Sequence, residues 1–420
     1  MLIPVHITGI GPISPFGIGK ADHCKAIMTG LNPLDNCNVD DLYYPKIVGL
    51  VPDFNPKDYI MDKKSIRFMT RQVILGLCSS SLALQDAGIT SEILEKDIDG
   101  TGVIFGAGIV QSIISSKDIF LNCLKEEGEI DYKKLGREGY RAMPPLWILP
   151  RLPNTTGGQI SIQYGIKGIN YSIVNGPSSG MIAIGEAYEA ICNKRSSLVV
   201  SGGSEWDPAV DFIDRLKKDG FASDTENGSR PFSGQSDGFI LAEGAASLIL
   251  ESEEKLYQRG GKSYGKILAY GNGYVPRFRN LDVKELAQQY CFFVRTTLER
   301  NSISLDSIDL VQATGCGIPV IDDAEIEVYS SLFGSKTLIT TVNGSIGYPL
   351  AASGAISSAV AILEMEMGIA GIIGRTTSIA GKNQEQFVIH NPKKASIQRV
   401  LCTSFDYSGA MVCLVIEKKG

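Results

Sequence analysis

Residues that could act as a base or hold a metal ion are scarce in this chain of 420 residues, whose only histidines are His6, His23 and His390. Histidine is the commonest general base near neutral pH and the commonest metal ligand. No two of the three stand four residues apart, and none has a cysteine or carboxylate partner at zinc-binding spacing. The sequence therefore predicts no metal site and no cofactor. We interpret His6, in an apolar strand, as structural and the other two as surface residues.

The segment NGPSSG at 175–180 matches the nucleophile pattern G-x-S-x-G. It follows an apolar strand at 171–174 and begins an apolar helix at 178–192, and the N-terminus of such a helix favours negative charge. One hypothesis is a serine acyl hydrolase in which Ser178 is the nucleophile and His390, the one histidine downstream, is its base. The alternative interpretation, which we favour, is that small residues let the helix pack closely on the strand.

The cysteines offer a second class of nucleophile. There are nine, with no C-x-x-C pair, and most lie in apolar runs, which is typical of reduced core thiols in a cytosolic protein. Cys316 lies in a glycine-rich turn, but it has no histidine nearby to activate it, and a free thiol is only a few per cent ionised at neutral pH. We interpret Cys316 as a small buried residue.

Composition excludes several classes of function. The formal charge of -6 and pI of about 5.4 argue against sequence-independent binding of nucleic acid. The longest apolar run, at 351–363, contains three serines and ends at Glu364, so it is too short to cross a bilayer. The N-terminus MLIPVHITGIG lacks the basic region of a signal peptide. We expect a soluble, cytoplasmic protein that binds neither a membrane nor nucleic acid.

Short apolar runs that end in glycine turns and precede helical patterns recur along the chain, which predicts an α/β fold with buried, mainly parallel strands. They lie at 5–7, 103–105, 197–200, 266–270, 310–313, 338–342 and 400–404. The segments 174–180 and 342–347 nearly repeat each other, which indicates an old duplication. We predict two halves, 1–250 and 263–420, joined by the polar stretch 251–262 and sharing one sheet system.

Eight sequence blocks stand in the order found in one enzyme family. They are VHITGIGPISPFG (5–17), NTTGGQISIQYGIKG (154–168), SIVNGPSSGMIAIGEAY (172–188), LVVSGGSEWD (198–207), RPFSGQSDGFILAEGAASLILE (230–251), QATGCGIPVIDDAEIE (312–327), VNGSIGYPLAASGA (342–355) and SFDYSGAMVCLVIE (404–417). On these blocks the chain resembles the β-ketoacyl synthase family. The resemblance implies the duplicated thiolase-like fold, five layers in the order α-β-α-β-α.

The resemblance also implies where the reactive residues of the family would stand. In the family a cysteine at the start of the buried helix accepts an acyl group from an acyl carrier protein, and two histidines and a lysine assist condensation. Those four positions hold Pro177, Thr314, Tyr348 and Asn343 here. The gating aromatic residue of the family's glycine-rich loop is matched by Tyr407. We therefore expect no intact catalytic set.

Pro177 removes two features at once. It has no thiol, so it cannot form a covalent intermediate, and it has no backbone N–H, which the family uses to stabilise an oxyanion. Proline is nevertheless favourable at the first position of a helix, where its N–H would be unpaired. The helix is therefore expected to form although the chemistry of the family is lost.

Ketosynthase-like chains without the cysteine resemble the chain length factors of type II polyketide synthases. The resemblance implies an inactive subunit that pairs with a ketosynthase α subunit through 171–174, meets acyl carrier protein in that complex, and sets product length through an interface tunnel. The resemblance places the helix after Gly108 at this tunnel, and helical spacing selects Ser112, Ser115 and Ile119 on one face of that helix as tunnel residues. The alternative is that these residues form an ordinary packing face of small residues. The alternatives are a homodimeric acyl-binding pseudoenzyme and the Ser178 hydrolase.

Overall fold

The computed structural model describes residues 3–36, 46–108, 117–142, 148–206, 210–381 and 384–419. The strands in these ranges are β1 Val5–Ser14, β2 Gly17–Ile18, β3 Thr101–Ala107, β4 Asn170–Ile173, β5 Leu198–Glu205, β6 Ala222–Ser223, β7 Phe239–Ile240, β8 Gly244–Ser252, β9 Gly265–Tyr274, β10 Leu310–Gln312, β11 Leu338–Thr340, β12 Ile369–Ala370, β13 Lys393–Lys394, β14 Arg399–Phe405 and β15 Ala410–Lys418. Each of the seven apolar runs predicted as a strand overlaps one of them.

Helices connect and cover these strands. They are α1 Gly19–Thr29, α2 Arg71–Asp86, α3 Ser91–Glu95, α4 Lys117–Leu121, α5 Tyr132–Arg137, α6 Thr155–Tyr164, α7 Ser179–Cys192, α8 Val210–Lys218, α9 Glu253–Arg259, α10 Val283–Arg300, α11 Pro319–Leu332, α12 Asn343–Ile346 and α13 Ser353–Met367. The helix predicted at 178–192 is confirmed as α7.

One large sheet has the strand order β11-β10-β14-β15-β9-β1-β8-β5-β3-β4, with β2 paired to β1. The prediction of mainly parallel strands is wrong. Within the large sheet, parallel pairing is confined to β5-β3-β4 and β14-β10-β11, and the strands between these two groups pair antiparallel. The reason is local for β14 and β15: only the turn 406–409 joins them, and a parallel pair needs a much longer crossover.

The two halves of this sheet have the same pairing pattern. Reading inward from each edge, β4-β3-β5-β8-β1 and β11-β10-β14-β15-β9 both show two parallel pairs followed by two antiparallel pairs. The halves meet where β1 pairs with β9. The stretch 251–262 is occupied by the end of β8 and by α9, and Glu251 there is buried. The division of the chain at that stretch stays a prediction.

Helices α7 and α13 form the central layer. Nearly every residue of both is buried, which is the pattern of a helix covered on all sides. Their side chains share a core with β1 and β8 of one half and with β14 and β15 of the other. Helix α2 covers the outer face of the first half, and α10 and α11 cover that of the second. The predicted five-layered α-β-α-β-α arrangement is confirmed.

The segment Leu350–Met367, which includes α13, is apolar and long enough to cross a membrane, but 89% of it is buried inside the described chain. This burial identifies the segment as part of the protein core. The cytoplasmic location stays a prediction.

His23 corrects the sequence interpretation, because it is fully buried rather than on the surface. Its ring nitrogens lie 2.8 Å from Ser14 Oγ and 2.8 Å from the carbonyl oxygen of Gly19. Burial lowers the pKa of His23 to about 4, so the ring is neutral at pH 7. The polar neighbours of His23 in the sequence concealed that this face of α1 packs on β1. His6 is buried and His390 exposed, as predicted.

Candidate active site

A tight turn connects β4 to α7. Gly176 has φ +62°, a left-handed conformation that glycine adopts without strain. Asn175 N donates a hydrogen bond to Ser179 Oγ (2.8 Å), and Ser179 Oγ donates to the carbonyl oxygen of Gly176 (2.6 Å). These bonds close the turn and place Pro177, which is buried, directly before the helix. The turn thus presents the start of an almost fully buried helix, as the sequence predicted.

Close packing explains the last glycine of the G-x-S-x-G pattern. A Cβ at Gly180 would lie 2.6 Å from the carbonyl oxygen of Ala351, and a Cβ at Gly203 would lie 2.9 Å from the Cα of Gly180. A Cβ at Gly106 would meet Gly180 N at 2.5 Å. Helix α7 therefore contacts β3 and β5 through glycines, which supports the packing interpretation of this part of the pattern.

Ser178 has a carboxylate as its partner. Its Oγ donates to Asp406 Oδ2 at 2.6 Å, and its backbone N–H donates to the same oxygen at 3.1 Å. Ser404 Oγ lies 3.0 Å from Ser178 Oγ. Both Ser178 and Asp406 are fully buried. Because Asp406 follows β14 directly, the end of that strand brings the carboxylate of the C-terminal half to the first turn of α7.

Asp406 belongs to this arrangement, and the sequence interpretation did not include it. Burial raises the pKa of Asp406 above its usual value, and hydrogen bonds from Ser178 and Ser408 limit the rise. A carboxylate with a raised pKa is a better proton acceptor near neutral pH. The signal in the sequence was an acidic residue directly after an apolar strand, in SFDYSG. The family resemblance assigns only Tyr407 of that segment, as the gating aromatic residue.

The structure brings Thr314 and Asn343 together. Asn343 Nδ2 donates to the carbonyl oxygen of Thr314 (2.6 Å), and Thr314 Oγ1 accepts from Phe405 N (2.8 Å). Ser353 Oγ donates to Asn343 Oδ1 at 3.2 Å. The two side chains thus tie three loops of the C-terminal half to one another beside the end of β14.

Glu325 holds the loop that contains Thr314 and Gly315. It is fully buried, and its two oxygens accept from Thr314 N (3.0 Å) and Gly315 N (2.8 Å). The hydroxyl of Tyr329 donates to Glu325 Oε1 at 2.5 Å. Burial raises the pKa of Glu325 to about 7, against the lowering effect of these donors. The residue therefore titrates in the neutral range.

Aromatic rings line the interior next to these loops. The ring of Tyr407 stacks on Phe221 (4.8 Å between centroids), and that of Tyr348 lies 5.1 Å from Phe239. Tyr348 is fully buried, and its hydroxyl has no hydrogen-bond partner among the described residues.

Burial raises the pKa of the Cys316 thiol well above its usual value, so this residue is an inert core thiol.

A cavity of about 430 Å³ opens at the turn before α7. Its lining includes Pro177, Tyr407, Leu350, Arg215 and Glu205. Ser178 is fully buried and is not among the residues of the cavity wall. Tyr407, which is part of that wall, is followed in the chain by Ser408 and preceded by Asp406, the partner of Ser178.

Several predicted site residues do not join this arrangement. His390 is exposed and lines a different cavity, and none of the hydrogen-bond partners of Ser178 is a histidine, so the predicted serine–histidine pair is wrong. Ser112 and Ser115 lie outside the described residues. Ile119 is buried beside Gly139 and is not part of the cavity wall. The interface tunnel stays a prediction.

Comparison with known families decides the classification. Residues 3–255 match the model of the beta-ketoacyl synthase N-terminal domain, and residues 277–372 match that of the beta-ketoacyl synthase C-terminal domain. The chain belongs to the β-ketoacyl synthase family. Two solved structures agree with this. A beta-ketoacyl synthase from Burkholderia phymatum STM815 has a TM-score of 0.83 at 22% identity, and the ishigamide ketosynthase/chain length factor has a TM-score of 0.82 at 19% identity. Each comparison covers 100% of both chains, and at these identities each shows the thiolase-like fold alone.

A curated relative contradicts the predicted function. The 3-oxoacyl-[acyl-carrier-protein] synthase 2 of Rhizobium meliloti (strain 1021) is 28% identical, with 99% of this chain and 98% of the relative aligned. It is named as a synthase, so the prediction that this β-ketoacyl synthase family member is a catalytically inactive chain length factor is wrong. The acyl-binding pseudoenzyme and serine hydrolase alternatives are set aside with it. The replacement of the family's reactive residues at 177, 314, 343 and 348 stays an interpretation of the sequence.

Proposed function

We propose that this protein is a carrier-protein-dependent acyl-condensing enzyme of the 3-oxoacyl synthase type, in which Ser178 replaces the missing thiol as the acyl acceptor and Asp406 is its base. The observation that carries the proposal is the hydrogen bond of 2.6 Å between Ser178 Oγ and Asp406 Oδ2 at the start of α7. The match to a synthase along its whole length supports the reaction class.

The position of Ser178 is suitable for a nucleophile. It precedes α7, where the helix dipole stabilises negative charge that develops on oxygen. A serine hydroxyl is a weak nucleophile until a base takes its proton. Asp406 accepts from that hydroxyl, and its raised pKa moves its basicity toward neutral pH.

The reaction would proceed in two steps, acylation of Ser178 and then condensation. First, Ser178 Oγ attacks the carbonyl carbon of the acyl thioester, its proton passes to Asp406, and the C–S bond breaks. The carrier thiolate takes the proton from Asp406, and the acyl group remains on Ser178 as an ester. Second, a carrier-bound malonyl thioester loses CO₂, and its carbanion attacks that ester. The C–O bond breaks and a 3-oxoacyl thioester leaves. The Ser178 alkoxide takes a proton from water, and the hydroxide that remains combines with the released CO₂ as bicarbonate.

Access to Ser178 would depend on the turn 406–409. Tyr407 forms part of the cavity wall while the adjacent Asp406 holds Ser178, so one movement of this turn would change both access and the hydrogen bond. Conformational gating of this kind is common where a reactive intermediate must be kept from water. The cavity of about 430 Å³ is large enough for the end of an acyl thioester.

We also propose that the chain works as a pair through β4. Among the described residues, this strand is at one edge of the large sheet and pairs on one side only, with β3. Exposed apolar side chains lie close to β4 in the sequence, among them Ile162 and Val174. An uncovered edge with apolar neighbours favours association with a second chain. That chain is either a second copy or a separate ketosynthase α subunit, as the sequence led us to expect.

The reaction class is tested by incubating the purified protein with an acyl-carrier-protein thioester and malonyl-carrier-protein and measuring the carrier species by mass spectrometry. We expect a 3-oxoacyl carrier product that depends on both substrates. The absence of this product with folded protein, alone and with a co-purified ketosynthase, would contradict the proposal. Product that persists in Ser178→Ala would keep the reaction class and remove Ser178 as acceptor.

A further inference from the structure

Three aromatic rings and one arginine are stacked beside the turn 406–409. The ring of Tyr407 stacks on that of Phe221, with 4.8 Å between the centroids and 19° between the planes. It also stacks on the ring of Phe239, at 6.1 Å and 17°. The guanidinium of Arg279 lies over the ring of Phe221, 5.0 Å from its centroid. Stacked rings attract each other, and a cation is attracted to the negative face of a ring. We call these four side chains the Tyr407 clamp.

The backbone fixes Phe221 on both sides. Helix α8 ends in a Schellman motif, in which Gly220 (φ +75°) donates its N–H to the carbonyl oxygen of Lys217 at 3.0 Å and Phe221 donates to that of Leu216 at 2.9 Å. The carbonyl oxygen of Phe221 accepts from Phe239 N at 2.8 Å. Phe221 therefore presents its ring to Tyr407 from a fixed position.

Arg279 is an exposed residue that a carboxylate holds over Phe221. Its Nη2 donates to Asp219 Oδ2 at 3.0 Å, and its side chain is 61% exposed. Both residues line the same cavity as Tyr407. An exposed ion pair contributes little to overall stability. Arg279 can therefore be changed without unfolding the protein, which makes it a direct probe of the clamp.

Tyr407 connects the clamp to the acyl site through Asp406, the residue before it. Asp406 Oδ2 accepts from Ser178 N at 3.1 Å, and its Oδ1 accepts from Ser408 N at 2.8 Å. The carboxylate thus ties the turn 406–409 to the start of α7. Movement of this turn away from α7 would have to separate the rings of Tyr407 and Phe221. The strength of that stack therefore sets how often the turn opens.

We propose that the Tyr407 clamp holds the turn 406–409 closed over Ser178, and that Phe221 and Arg279 are positioning residues of the acyl site. Both act through Tyr407, and neither takes part in the chemistry. The closed turn keeps Asp406 on Ser178 and keeps water from an acyl ester formed there, a consequence that rests on the proposed function. The closed turn itself does not depend on that function.

Hydrogen exchange of the full-length protein without substrate measures the turn directly, because the exchange rate of the backbone amides at 405–411 reports how often they are exposed. We expect Phe221→Leu to raise this rate about three- to tenfold, since the ring stack is lost while an apolar side chain remains. Phe54→Leu is the matched control. The ring of Phe54 also lies near an arginine, Arg71 at 5.2 Å, but in a different core cluster, so exchange at 405–411 should not change.

Arg279 supplies a second pair of variants. Arg279→Gln removes the cation from the ring of Phe221 and should raise exchange at 405–411 about two- to fivefold. Arg279→Lys keeps a cation there and should exchange nearly as slowly as the wild type. Arg67→Gln, which removes an exposed arginine 4.5 Å from the ring of Phe68, is the control and should have no effect on this segment. If Phe221→Leu does not fold, these variants carry the test.

The lifetime of the acyl ester separates the clamp from the proposed chemistry. With acylated protein, Phe221→Leu and Arg279→Gln should lose the acyl group to water faster than the wild type, and Arg279→Lys should not. Unchanged exchange at 405–411 in both Phe221→Leu and Arg279→Gln would overturn the clamp, as would an equal rise throughout the chain. Faster exchange with an unchanged ester lifetime would remove Phe221 and Arg279 as positioning residues. A wild type that is never acylated would contradict the proposed function, while the exchange rates would still decide for or against the clamp.

Discussion

Ser178 and Asp406 lie 228 positions apart in the sequence, yet the serine Oγ is 2.6 Å from the carboxylate Oδ2. The first precedes α7 of the N-terminal half, and the second follows β14 of the C-terminal half. Their contact exists only because the two halves of the sheet enclose a shared central layer. The proposed acyl site thus depends on both halves of the fold.

Asp406→Asn should reduce acylation of Ser178 by about a hundredfold or more, because loss of a positioned base typically costs that much. The amide keeps the shape of the side chain, so the fold should persist. Acyl-enzyme formation is followed by intact-protein mass spectrometry under single-turnover conditions.

Asp309→Asn is the matched control for this variant. Asp309 accepts from Arg399 N (3.0 Å) at the opposite end of β14, so the same chemical change is made away from Ser178. The base assignment fails if the two variants lose activity equally, or if Asp406→Asn is as active as the wild type.

Glu364 should make the protein less stable as the pH rises. It is fully buried on α13, its Oε1 accepts from Gly371 N (2.7 Å), and burial raises its pKa to about 8 from the ordinary 4.5. Between these values the folded state holds a proton that the unfolded state has lost. Stability from this group is therefore complete below the unfolded pKa and is lost as the pH approaches 8, by up to about 1.4 kcal/mol per pH unit.

Glu364→Gln isolates this effect. The amide cannot ionise and can still accept from Gly371 N, so its free energy of unfolding should fall less steeply between about pH 5 and pH 8 than that of the wild type. Urea denaturation at several pH values measures the slopes. Parallel slopes in the two proteins would mean that Glu364 is not the buried neutral acid described.

Gly180→Ala should destabilise the protein by about 1–3 kcal/mol, the usual cost of overpacking, because its Cβ would lie 2.6 Å from the carbonyl oxygen of Ala351. Gly158→Ala is the matched control, since it is also helical and a Cβ there meets nothing within 4 Å. It should be neutral or stabilising by up to about 1 kcal/mol. Equal effects in urea denaturation would refute the close approach of α7 to Ala351.

Ser172→Pro tests pairing through β4. Val103 N donates to the carbonyl oxygen of Ile169, the residue before β4, and Val103 pairs with Asn170, so in this parallel ladder the N–H of Ser172 points away from β3 toward the open edge. Proline should remove that outward donor while leaving the bonds to β3. We expect a dimer in the wild type and a folded monomer in the variant by light scattering. A monomeric wild type that also fails to bind a ketosynthase would exclude the pairing.

The sequence predicted local features that depend on neighbouring residues. Apolar runs gave the position of β1, β3 and α7, and the glycine pattern at 175–180 gave a turn before a buried helix. The sequence could not predict that β8 and β9 run antiparallel to their neighbours β1 and β15, because strand direction depends on the path of the whole chain. The burial of His23 could not be predicted for the same reason. The polar residues of α1 suggest an exposed helix, but one face of α1 packs on β1.

In the candidate site, too, contacts between residues far apart in the sequence could not be predicted from the residues alone. Thr314 and Asn343 could be placed together because the family resemblance supplied their positions. The partnership of Ser178 with Asp406 could not, since neither residue has a spacing or motif that points to the other. Their hydrogen bond follows from the end of β14 meeting the start of α7, which is a tertiary relationship.

Acyl transfer to Ser178 is tested most directly by intact-protein mass spectrometry after incubation with an acyl-carrier-protein thioester, comparing the wild type with Ser178→Ala. Ser358→Ala, which removes a buried hydroxyl that donates within α13, is the control. We expect one added acyl group in the wild type and in Ser358→Ala, located on Ser178 by peptide mapping, and none in Ser178→Ala. An unmodified wild type, or an acyl group on any other residue, would contradict it.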